Sequence, residues 1–425
     1  MQVGSKERFI GLEWLRFLLG CYVMIYHTFH FYPQRKSIPF LSELTSMGFF
    51  ATSTFFVLSG FLLTHVYIRN GQLREPARVF LAKRFFNLYP IHIIGLVTSI
   101  LAVSLMYWLA IPPEGQAASA RFVIYDSNDP SVNPETLRHY MTNSQLMFNS
   151  VLQLLMLQAW NPYFLTFNAP LWSLSTLFFF YLLFPLLAPW LVNRRYPRLW
   201  LAMICLFYLV PAVLAVWHQW YGIPYTGLLQ RAPLLRLPEF LAGVLGYAIF
   251  RKCRDGQLPA LTSWQNRGLG CFIGLSFIAA TWLFTRSGAP YWYFLLHNGL
   301  LLPAQVALVY LCAQAKEPDR TWIKTWSTRL GATSLSIFAL HVPLFNLFRT
   351  GEQLVRGNPL ECFTNWSQCI STAGQVQLSL VGYGIFLLST ILLCLLFQER
   401  VVIKLRQSLT ARFLSPQAGP PSRAV

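Results

Sequence analysis

The chain has 425 residues, 55% of them hydrophobic and only 11% charged, against about 25% charged in a soluble domain. That balance excludes a soluble globule, and its hydrophobicity excludes a disordered chain, which leaves a polytopic membrane protein. The 33 Lys and Arg against 15 Asp and Glu, a formal +18, would suggest nucleic acid in a soluble protein, but in a membrane protein such an excess reports topology.

Runs of about 20 apolar residues predict an all-α membrane bundle of ten spans. They lie near 11–31, 47–67, 86–110, 171–192, 199–217, 234–250, 268–285, 293–313, 330–348 and 378–398. The first span, LEWLRFLLGCYVMIYHTFH, carries the best set of ionisable groups. At membrane depth such groups mark functional sites by default. Glu13 and Arg16 stand three apart and pair on a helix. Arg16 and His27 stand eleven apart, which returns to the same face within about 20° and separates them by about 16 Å. A polar stripe therefore runs from one end of the span toward the other. Glu13 and Arg16 also argue against a cleaved signal peptide, so the span is expected to be retained.

The second span holds FFVLSGFLL, where Ser59 and Gly60 read as close-packing residues and Ser59 as a possible cavity lining. The third begins with VFLAKRFFNLYP, where Lys83 and Arg84 stand at a helix mouth suited to phosphate oxygens, or serve as plain positive-inside anchors. A Pro-rich outside loop is expected near 111–143, and an amphipathic or interfacial segment near 144–160. Trp172 and Ser173 open the next span, and Arg236 with Glu239 forms another i, i+3 pair later. His341, beside Pro343, reads as a packing histidine. The loop 350–376 holds Cys362 and Cys369, which could pair if that side is oxidising. No Cys/His cluster has metal-site spacing, so no metal is expected.

The basic residues fix an orientation. With the N-terminus inside, 23 of the 33 fall in cytoplasmic segments, 8 outside and 2 within spans, which supports ten spans with both termini cytoplasmic. Residues 1–400 form the expected membrane domain, and 401–425 a short basic cytoplasmic tail.

Taken in order, these motifs resemble bacterial acyltransferase family 3, integral membrane O-acyltransferases, over about 9–400. The carriers are LEWLRFLLGCYVMIYH, FFVLSGFLL, KRFFNLYP, LWSLSTLFFFYLLFP, RLPEFLAG and SLSIFALHVP. The resemblance implies that His27 is catalytic and that Arg16 and Arg84 bind acyl-CoA. It further implies acetyl-CoA or another acyl-CoA as donor, and a hydroxyl of an envelope saccharide or lipid-linked saccharide as acceptor. The bilayer would be that of a bacterial inner membrane, with no nucleic acid partner. Asn87 stands where the family's Arg-x-x-Arg motif has its second Arg, so the donor-phosphate contacts are expected to be weaker there or supplied by Lys83. Leu177 and Phe178 replace glutamates that many members carry. The chain looks like a stand-alone member without a fused esterase-like domain. His27 would act as general base or carry the acyl group itself, with Tyr26, Trp172 and Ser173 as candidate neighbours of the acceptor or oxyanion. The competing reading is a transporter or flippase-like permease for a lipid-linked saccharide.

Overall fold

Each of the ten apolar runs is helical in the computed structural model, which describes residues 8–109, 123–124 and 142–414. The principal helices are α1 (Ile10–Thr28), α2 (Gly48–Tyr67), α3 (Ala77–Leu109), α4 (Asn143–Leu154), α5 (Trp172–Val192) and α6 (Pro197–Trp217). They continue as α7 (Pro233–Arg254), α8 (Ser263–Arg286), α9 (Leu302–Ala313), α10 (Thr321–Arg356), α11 (Leu380–Phe397) and α12 (Ile403–Leu414). Among the described residues, eight helices have the length and hydropathy to cross a bilayer, and a bent pair forms a ninth crossing. Helix α1 is continuous but carries Glu13 and Arg16, which lower its hydropathy, and it is not among those eight. The fold class is thus the all-α membrane bundle that composition predicted. Two antiparallel two-residue strand pairs are the sheet content of the described residues. Most of the loop near 111–143 and the chain after Leu414 lie outside the described residues.

Helix α1 packs along α10 and α2, α2 along α7, and α3 and α11 along α10. Helices α6 and α8 are peripheral: Phe207 is 73% exposed and Leu275 67%, an apolar surface that lipid covers. The α2–α7 contact depends on two glycines. A Cβ at Gly60 would lie 2.0 Å from the Phe240 carbonyl oxygen, and one at Gly243 1.9 Å from that of Val57. Only hydrogen fits there, the usual device for close helix approach in a membrane. Gly243→Leu must push the helices apart. The expected cost is at least the ~1–3 kcal/mol of an overpacked core, read as a lowered melting temperature of the detergent-solubilised protein. An unchanged melting temperature would disprove this account of the contact.

Three boundaries differ from the sequence reading. Helix α3 begins at Ala77, directly after Pro76, two residues ahead of the expected start at Val79 and well ahead of the apolar run from 86. Proline pre-sets the first turn, and Lys83 and Arg84 consequently lie about two turns inside. The dipole of a helix end does not reach them. The expected span 293–313 is broken into Tyr291–Leu300 and α9, bent by 42°. Asn298 and Gly299 leave helical geometry there, Gly299 with φ +117°, which only glycine adopts without strain. The tail does not end its structure at residue 400, because α12 follows α11 through a wider turn and packs along α3.

Helix α4 is capped by a reciprocal pair of hydrogen bonds between Thr142 and Gln145. It turns its polar side inward, with Asn149 and Gln153 buried, while Met147 and Phe148 are 68% and 61% exposed. The inward side holds a fixed contact: ring nitrogen Nε2 of the fully buried His92 donates to the Gln153 carbonyl at 2.7 Å.

Candidate active site

His27 lies in the last turn of α1, half-buried, with its ring edge-on to Tyr26 at 4.8 Å. Opposite it stands His341 of α10, fully buried. Nε2 of His341 and Nδ1 of His27 are 3.0 Å apart, and Nδ1 of His341 lies 2.7 Å from the Ile337 carbonyl oxygen. With both rings neutral, these two contacts assign the protons. A carbonyl only accepts, so Nδ1 of His341 carries a proton. In a neutral ring Nε2 is then an acceptor, and it takes the Nδ1 proton of His27 as a hydrogen bond. The Nε2 of His27 is left with a bare lone pair, which is the form a general base needs.

The α10 backbone around His341 is shaped by Pro343, which has no N–H to give the Ala339 carbonyl. Asn168 fills that role: its side-chain amide donates to the Ala339 oxygen at 2.8 Å and to the Gly95 oxygen at 3.3 Å. One buried amide thus ties α3 and α10 together two residues from His341.

The other end of α1 is basic. Arg16 Nη1 lies 3.9 Å from Glu13 Oε2. Glu13 packs against α10, where a Cβ at Gly331 would meet its carboxylate at 2.2 Å. Arg84 donates to the Tyr67 hydroxyl and lies over that ring at 4.7 Å, and its buried Nε has no partner among the described residues. The Tyr181 hydroxyl on α5 is within electrostatic range of both Arg84 and Arg16. Lys83 is ion-paired with Glu75, so its charge is already balanced. From α12, Arg406 Nη1 donates to Asn87 Oδ1 at 3.4 Å, and Phe413 meets Phe86 at 5.8 Å. A guanidinium from another helix, that of Arg406, thus stands at Asn87.

The remaining candidates are held by partners of their own. Ser59 donates to the Phe55 carbonyl within α2. Ser173 donates to the Pro170 oxygen, and Trp172 meets Phe56 edge-on at 6.0 Å. Arg236 and Glu239 form a fully buried ion pair at 3.0 Å. Arg236 also donates to the His297 carbonyl at 3.0 Å and to Ser53 at 2.7 Å, and the one proton of the Tyr208 hydroxyl is shared between Glu239 at 2.8 Å and the same carbonyl at 3.2 Å. That carbonyl belongs to the helix break at Asn298 and Gly299. A backbone group freed within a membrane must be satisfied internally, and this network does so. Removing one partner of such a pair costs about 3–5 kcal/mol. Among the described residues no His, Cys, Asp and Glu side chains form a group able to hold a metal. Cys362 and Cys369 are joined by a disulfide.

Sequence reasoning passed over two residues. His341 carried a signal, an ionisable side chain at mid-span, but was read as packing. Arg406 carried none, since a basic tail looks like any other.

Residues 9–399 match the family model of an acyltransferase domain. The acyltransferase MdmB of Streptomyces mycarofaciens is 27% identical over 395 residues, which cover 88% of this chain and 86% of that protein. No solved structure matches the chain significantly.

Proposed function

Because the chain belongs to acyltransferase family 3, we propose that it moves an acetyl or other acyl group from acyl-CoA to a hydroxyl of a saccharide or lipid-linked saccharide. We read the basic end of the bundle as cytosolic, both termini included, and the bilayer as a bacterial inner membrane. The observation that carries the chemistry is the His27–His341 hydrogen bond at 3.0 Å, which orients a bare Nε2 on His27.

The acceptor hydroxyl gives its proton to His27 Nε2 as its oxygen attacks the thioester carbonyl. A C–O bond forms, the C–S bond breaks, and the CoA thiolate takes the proton from the imidazolium. The products are an ester and CoA, with no redox change. The donor's phosphates meet Arg84 and Arg406, and its thin arm follows the α1 stripe past Arg16 toward His27, about 16 Å along the axis. Arginine suits this role because its planar fork matches phosphate oxygens. The family assignment favours this reading over a permease.

The test is transfer of labelled acetyl from acetyl-CoA by the purified protein in nanodiscs, into glycoside acceptors. Substrate translocation without any CoA dependence would reject the reading. For the donor site, Arg406→Ala is expected to raise the KM for acetyl-CoA about tenfold, the value of one charge-assisted hydrogen bond, with kcat nearly unchanged. Adding Asn87→Arg should recover most of that loss, because it restores a guanidinium one turn after Arg84. If Arg406→Ala leaves KM unchanged at low salt, α12 has no part in donor binding.

A further inference from the structure

Just beyond His27, α1 ends and the chain turns through two short 3₁₀ helices, Phe29–Phe31 and Pro33–Ser37. Four side-chain atoms of this corner are buried with no protein hydrogen-bond partner among the described residues. They are the Tyr32 hydroxyl, Gln34 Oε1, Arg349 Nε and Glu352 Oε2. Buried polar atoms are rarely left unmatched, and four in one corner ask for a reason.

Each of these side chains is held by its other groups. The Tyr32 ring is fully buried against Tyr383 at 4.6 Å and Phe345 at 6.2 Å. Gln34 Nε2 donates to the Leu378 carbonyl at 2.9 Å. The Arg349 guanidinium lies 5.0 Å from the Phe31 ring centre. Glu352 Oε1 accepts from the Ser379 N–H at 2.8 Å and from Arg356 at 3.2 Å. Tyr32 is within electrostatic range of Glu352, Tyr383 and Arg349, and Gln34 joins them through Leu378, whose neighbour Ser379 donates to Glu352. The Tyr383 hydroxyl in turn lies 3.1 Å from that of Thr28, the residue after His27. Phe31 is 41% exposed, with His30, Phe345 and the Arg349 guanidinium around its ring, and gives the corner an exposed aromatic surface.

We propose that this corner is the acceptor subsite and that it binds a saccharide, its hydroxyls taken by Tyr32, Gln34, Arg349 and Glu352 and an apolar ring face by Phe31. The proposal rests on the acyltransferase reading. The unmatched atoms are two acceptors, one donor and one hydroxyl that serves as either. Neighbouring sugar hydroxyls present the complementary mixture. A phosphate would meet the Glu352 carboxylate, and a simple alkyl alcohol would leave most of the four atoms unmatched. The C–H face of a pyranose suits an aromatic ring that offers apolar area with a polar surround. Glu352 stands eleven residues after His341, on nearly the same face of α10 and about 16 Å along it, so reaching both asks for more than one sugar ring.

The experiment compares octyl maltoside with 1-octanol as acceptors for labelled acetyl-CoA, using the full chain in nanodiscs, together with acceptor-free thioester hydrolysis. The wild type is expected to acetylate the maltoside and to leave octanol near background. Tyr32→Phe keeps the ring and loses the hydroxyl. It should raise the KM for maltoside about five- to tenfold, with acceptor-free hydrolysis and the KM for acetyl-CoA unchanged. Glu352→Gln should do likewise. Equal use of octanol, no use of either acceptor while thioester is hydrolysed, or a parallel fall of hydrolysis and transfer in both variants would overturn the saccharide site. An absence of any acetyl-CoA turnover by the wild type would instead reject the acyltransferase reading beneath it.

Discussion

Replacing His27 with alanine should reduce acyl transfer about 10²- to 10⁴-fold, the contribution of a positioned general base. The loss should appear in kcat, because the role proposed for the side chain is toward the reacting hydroxyl and not the nucleotide. Its ring packs against Tyr26 and His341 at the end of a helix, so its removal leaves the glycine-mediated contacts of α1, α2, α7 and α10 in place. The variant should elute as a monodisperse protein with a melting temperature close to that of the wild type, and should still bind acetyl-CoA. Binding is checked by equilibrium dialysis with labelled donor, and a lost binding signal would move His27 out of the chemistry and into the donor site.

The second large effect belongs to His341. It acts through His27 by accepting the Nδ1 proton, which keeps the bare nitrogen on the other side of the ring. His341→Leu deletes that acceptor, frees the His27 tautomer and should lower kcat about 10- to 100-fold, with the KM for acetyl-CoA little changed. His341→Gln carries an amide oxygen near the former Nε2 and should recover part of the loss. If Leu and Gln are equally impaired, the hydrogen bond at 3.0 Å is a packing contact and not a positioning one. The pH profile of kcat supplies a second readout: loosening the His27 ring should displace its acidic limb in the leucine variant and less in the glutamine variant.

The sequence carried most of the architecture because a bilayer imposes a length on every apolar run. It carried less of the breaks. Gly299 was inside a run that read as one span, and its bend depends on Arg236 and Tyr208 arriving from two other helices to take the His297 carbonyl. No local pattern announces a partner that comes from 61 or 89 positions away. The start of α3 was less sharply legible for a simpler reason, because Arg78, Lys83 and Arg84 keep its first two turns out of the apolar run. At the site, the helical spacing of Arg16 and His27 was readable from one segment. The pairing of His27 with His341 was not, since the two are 314 residues apart and only the packing of α1 along α10 joins them. Arg406 was hidden in the same way. The polar corner at Tyr32 left no pattern, because its meaning lies in atoms that lack partners, and partners exist only in three dimensions.

These residues follow one another along the bundle: Arg84 and Arg406 at one end, His27 and His341 toward the other, and the Tyr32 corner beyond. The most direct test is an experimental structure of the His27→Ala protein in nanodiscs with acetyl-CoA bound. The account requires the nucleotide between Arg84 and Arg406 and the thioester carbonyl beside the position of the His27 ring, facing His341. A nucleotide bound at the Tyr32 end, or a thioester that stops short of residue 27 by more than a hydrogen bond's reach, would contradict it.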